Sequence, residues 1–106
     1  MNKAEVLKIL DETKKTLIER GWHQGYFAID KRRKHVSFMN ESACAFCVLG
    51  AVFRAAGTKP VAGPLNALSA VAPGGSAAAY NDAPGRTKED MLALIDKAKE
   101  WVNEQG

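Results

Sequence analysis

A chain of 106 residues builds one domain around one core and is too short for two, and its 46% hydrophobic share is ordinary for such a domain. The longest stretch nearly free of charge, 58–81, is rich in Ala, Gly and Pro and lacks the bulky apolar side chains of a membrane span. The net charge of +3 is concentrated in Lys31-Arg32-Arg33-Lys34, which leaves the rest of the chain close to neutral: a basic knuckle, not a general basic face. Met1 to Glu5 lead straight into an amphipathic, charged pattern without an apolar signal core, so a cytoplasmic protein is expected. Two cysteines three residues apart cannot staple distant parts of a fold, which argues against a secreted disulfide scaffold.

Residues 3 to 20 predict a helix, with Val6, Leu7, Leu10, Leu17 and Ile18 on one face and Gly21 ending it. Tyr26-Phe27-Ala28-Ile29 and His35-Val36-Ser37-Phe38 then predict a short antiparallel β-hairpin with Asp30 to Lys34 at its turn. Asn40-Glu41-Ser42 offer N-cap residues for a second helix whose stripe runs through Cys44, Cys47, Val48, Ala51, Val52 and Ala55 to a stop at Gly57. Pro64 starts a short helix carrying Leu65, Leu68 and Val71, and Pro73-Gly74-Gly75 stops it, with 74–79 expected to be mobile. Thr87, followed by Lys88-Glu89-Asp90, caps a final helix from 88 to about 104, with Met91, Leu94, Ile95, Ala98, Trp101 and Val102 on its inner face. The result is a single domain over 1–106, α+β and mostly helical: helix, short hairpin, helix, short helix, C-terminal helix.

Three patches stand out along this order: Gly21-Trp22-His23-Gln24-Gly25, Cys47-Val48-Leu49-Gly50-Ala51, and Tyr80-Asn81-Asp82-Ala83-Pro84-Gly85-Arg86-Thr87. Together they resemble an uncharacterised family of small proteins from bacteria, notably actinobacteria, and from their phages. Its members share a Gly-Trp after the first helix, a Cys-x-x-Gly-Ala helix and an aromatic-Asn-Asp before the last helix. Tyr80 stands where a tryptophan is more usual, and Cys44 is an addition to the pattern. The resemblance implies a fold and a phage or mobile-element setting, and it implies no reaction.

The residues that could carry chemistry each have a plain structural alternative. Cys44-Ala45-Phe46-Cys47 after a strand has the setting of a redox pair, but no further strands follow to build that fold. His23, His35, Cys44 and Cys47 supply the right types for zinc, with spacing that matches no common finger. Cys47 with a histidine and Asp82 would make a cysteine hydrolase, although a thiol on an apolar helical stripe is inert. Two helix-packing thiols, with Cys44 the more accessible, account for the pair without chemistry. Asn81 and Asp82 either build Asx turns, with Arg86 close enough to pair with Asp82, or contact a ligand. Trp22 either anchors the core with its indole N–H on a carbonyl or offers a stacking platform.

The basic knuckle is the surface feature that most needs a partner. Lys31, Arg32, Arg33 and Lys34, with Trp22, Tyr26 or His35 nearby, could grip phosphates while a ring stacks on a base, and an acidic protein would also fit. With no Gly-rich phosphate loop, tight carboxylate pair or diagnostic metal motif, the expected protein is a non-enzymatic binding or regulatory one, a phage accessory, that contacts an anionic partner and needs no cofactor or metal. The alternative is the Cys47 hydrolase. Small residues at Ala51, Ala55 and Ala56 would also permit a homodimer.

Overall fold

The structure, a computed structural model, describes residues 2–105. Helix α1 spans Lys3–Glu19, capped by Asn2, whose Oδ1 accepts from the Glu5 amide at 2.8 Å. It buries Val6, Ile9, Leu10, Thr13 and Leu17. Ile18 departs from the predicted face: it is 51% exposed, because the buried stripe runs through Leu10, Thr13 and Leu17 and leaves the next position on its flank.

Two-residue strands follow, β1 at Ala28–Ile29 and β2 at Ala45–Phe46, paired antiparallel with Ala28 opposite Phe46 and Ile29 opposite Ala45. The chain does turn back at Asp30 to Lys34, but residues 35–38 contribute only one bridge, Ile29 to His35, and a Val36 amide donating to the Ala28 carbonyl. The ladder forms with 45–46 instead. Phe46 is fully buried, whereas Val36 and Phe38 stay half-exposed, so pairing there covers more apolar surface.

That recruitment delays the second helix. Cys44 donates its amide to the Ile29 carbonyl and Phe46 to the Gly21 carbonyl, so residues 44–46 are extended. Helix α2 therefore spans Val48–Ala56 with Cys47 as its N-cap, not a residue inside its stripe. Asn40 uses its Oδ1 on the Ser42 amide and hydroxyl, a local Asx turn.

Helix α3, Ala62–Val71, has Pro64 in its first turn, and a 3₁₀ turn at Pro73–Gly75 ends the passage. The stretch expected to be mobile then gives helix α4, Ala77–Asp82, capped by Ser76 through the Ala79 amide at 3.1 Å. Helix α5, Lys88–Glu104, begins in a reciprocal capping box between Thr87 and Asp90.

Helix α1 packs against α2 and α5, and α3 covers α5. The core is one cluster centred on Leu10, Leu17, Phe46, Val52, Leu68, Met91 and Ile95. Across the exposed α1–α5 seam, Lys14 pairs with Asp96 at 2.9 Å and Lys99 with Asp11; such pairs align helices more than they stabilise them. Among the described residues no helix is long and apolar enough to cross a membrane.

Candidate functional site

The structure sorts the predicted site residues into two groups. The first is the turn. Asp30 Oδ1 accepts from the amides of Arg32 at 2.9 Å and Lys34 at 3.0 Å, and the Arg33 amide donates to the Asp30 carbonyl at 2.9 Å. Arg33 takes the left-handed backbone, φ 64°, which a non-glycine residue adopts only where its surroundings fix it. The Lys34 amide, then that of Arg32 and the charges of both residues, hold the Asp30 carboxyl below its ordinary range. The result is a stiff knuckle that displays Lys31, Arg32, Arg33 and Lys34 to solvent. Among the described residues none of the four makes an ion pair.

Beside the knuckle is an aromatic surface. Tyr26 and His35 are in direct ring contact. Phe27 meets Phe53 and Phe38 edge-on, at centroid distances of 5.3 and 6.4 Å, and Phe38 stacks on Phe53 at 5.3 Å. Tyr26 is 54% and Phe27 47% exposed. Arg54 braces the loop behind them by donating to the carbonyls of Phe38 and Asn40.

The second group is a joint built on Asn81, which is 1% exposed. Its Oδ1 accepts from Trp22 Nε1 at 2.7 Å and from the Val48 amide at 3.0 Å, while its Nδ2 donates to Asp82 Oδ1 at 2.8 Å and, at 3.4 Å, to the His23 carbonyl. Asp82 Oδ1 also accepts from the Gly25 amide, and Gln24 donates to the carbonyls of Asn81 and Ala83. The Trp22 indole does find a carbonyl, that of the Asn81 side chain. Cys47 Sγ accepts from the Gly50 amide at 3.3 Å, and burial pushes its thiol up from the ordinary value. Gly50 lies so near Phe27 that a Cβ there would overlap the Phe27 carbonyl.

A cleft of about 130 Å³ between Gly25, Phe27, Cys47, Leu49, Ala78, Asn81 and Asp82 opens onto this joint. Arg86 belongs to neither group. Its guanidinium stacks 3.7 Å from the Tyr80 ring centroid, and its Nε donates to the Tyr80 carbonyl. Its acidic neighbour is Asp90 at 4.0 Å, not Asp82.

Both cysteines are free thiols, Cys44 half-buried and Cys47 buried. Among the described residues no three His, Cys, Asp or Glu side chains gather as a metal-ligand set. Ala51 and Ala56 are buried in the domain's own core and Ala55 is half-buried. Sequence reasoning missed Glu19, Arg20, Glu41 and Phe53. The first three line a concavity with Lys31 and Arg32 and Phe53 meets Phe27 and Phe38; tertiary contacts bring them there, and no local pattern encodes those.

Fold and site define a small α+β domain with a cluster of unpaired cations, among the described residues, on a stiffened turn. The chain belongs to DUF6197, a family of unknown function, the match covering residues 1–100. No curated protein and no solved structure matches it.

Proposed function

We propose that the protein is a non-enzymatic binding protein, an accessory of a phage or mobile element working in the cytoplasm, whose turn at Asp30–Lys34 docks on single-stranded nucleic acid. The carrying observation is the four cations held on a backbone that Asp30 fixes before any partner arrives. Preorganised charge loses less entropy on binding than charge on a flexible loop. Tyr26 and Phe27, just before β1, add exposed rings, and bases stack on such rings whatever their sequence. An acidic protein would match the charge but would leave the rings without a role.

The test is fluorescence anisotropy of a labelled single-stranded oligonucleotide titrated with the protein at 50 to 200 mM salt. If about three phosphates are engaged, affinity falls on the order of twenty-fold over that range. Replacing Lys31, Arg32, Arg33 and Lys34 together by Gln removes most of the affinity and flattens the salt dependence, with circular dichroism unchanged. Absence of binding at the lowest salt, or undiminished binding by the Gln variant, overturns the reading.

A further inference from the structure

A concavity of about 640 Å³ lies against the basic turn, within the size range of small-ligand sites. Its lining is divided by charge. Lys31 and Arg32 come from the turn, while Glu19 ends α1 and Glu41 comes from the loop before β2. Arg20 is tied to the Ala43 carbonyl. Asp30 also lines the space, but its Oδ1 is engaged by the turn amides.

Glu19 and Glu41 are the lining carboxylates with both oxygens free of the turn amides, whereas Asp30 keeps only its Oδ2. Lys15 stands 4.0 Å from Glu19 in a solvent-exposed contact, and among the described residues Glu41 has no ion pair. Glu19 and Glu41 thus give the groove an acidic wall, with Arg20, the C-cap residue of α1, beside them. A site for phosphate alone would be weakened by such a wall. A ligand with phosphate at one end and N–H donors at the other satisfies both sides.

We infer that this groove takes a nucleotide whose base carries its amino group at C4 of cytosine or C6 of adenine, with the phosphate on Lys31 and Arg32 and the amino group on Glu19 and Glu41. Carboxylates accept from the cytosine N4 and adenine N6 amino groups, whereas thymine presents its O4, an acceptor, at that position. Selectivity thus comes from repulsion of the wrong base as much as from attraction of the right one. The inference rests on the nucleic-acid reading of the turn.

The experiment compares equal-length oligo-dC, oligo-dA and oligo-dT by anisotropy at one salt concentration, for the native protein and for Glu19→Gln/Glu41→Gln. The native protein should bind dC and dA about ten-fold more tightly than dT, in line with 1–3 kcal/mol for a good base contact. The double variant should bind all three, with that ratio brought near one. Equal native affinities, lost when Lys31 and Arg32 are replaced, overturn the base selectivity and leave the phosphate reading standing. A preference that survives in the double variant also overturns it. No binding of any oligonucleotide brings down both.

Discussion

At the scale of single residues, Asn81 organises more of the molecule than any other side chain. Its carbonyl oxygen joins the segment after α1, through Trp22, to the first turn of α2, through Val48, and its amide reaches His23 and Asp82. The three patches noted in the sequence therefore meet in space at one amide. Asn81→Ala leaves the Val48 amide buried without an acceptor and removes the Trp22 partner. Each loss costs about 1–3 kcal/mol, so the variant should unfold with a midpoint lower by ~10–20 °C. A calorimetric midpoint within two or three degrees of the native protein would show that water or relaxation replaces the amide. The residue types of this joint were legible in the sequence: a tryptophan needing an acceptor and an Asn-Asp pair before a Pro-Gly turn. The pairing was not, because Trp22 and Asn81 are separated by the whole β-ladder and two helices.

At the scale of elements, periodicity identified α1, α3 and α5 because each buries its own stripe at helical spacing. It misplaced the start of α2 because residues 44–46 fit a strand and a helix equally well, and the hydrogen-bond demands of Gly21 and Ile29 decide between them. It missed α4 because Ala77 to Ala79 follow two glycines and carry no large apolar side chain, so only Ser76 marked the start. Gly50 shows how closely these elements approach. Alanine in a helix is favoured over glycine by about 1 kcal/mol, yet at this position a Cβ would collide with the backbone carbonyl of Phe27, which has no flexible end to move. Gly50→Ala should therefore destabilise by roughly 1–3 kcal/mol, seen as a lower denaturant midpoint at unchanged slope, and should displace Phe27 from Phe53. A stabilised variant would mean that the segment carrying Phe27 yields freely, and the aromatic surface would then be soft.

At the scale of the whole molecule, the charge distribution couples the joint to the turn through His23. This imidazole is buried, its Nε2 has no hydrogen-bond partner, and its pKa is lowered first by burial, with the positive charge of Arg33 adding to the effect and the backbone at Gln24 and Tyr26, then Asp82, opposing it. In the unfolded chain the same group titrates near 6.5. Between that value and the lower folded one the unfolded state holds more protons, so acidification favours unfolding. The contribution of neutral His23 is complete above about pH 6.5 and is lost as pH falls through the window down to the folded pKa. The melting midpoint should thus fall from pH 7.5 to pH 5.5, and His23→Gln should show a shallower fall over the same interval. His35, exposed beside Tyr26, is present in both proteins and cancels from the comparison, while the Asp30 and Cys47 shifts lie outside this pH interval. Parallel pH profiles for the two proteins would mean that His23 is protonated in the fold as readily as in the unfolded chain, and its buried nitrogen would then have to find an acceptor. If Arg33 supplies part of the shift, occupying the turn with a polyanion weakens its field and should raise the His23 pKa, a change that the imidazole proton resonances report directly.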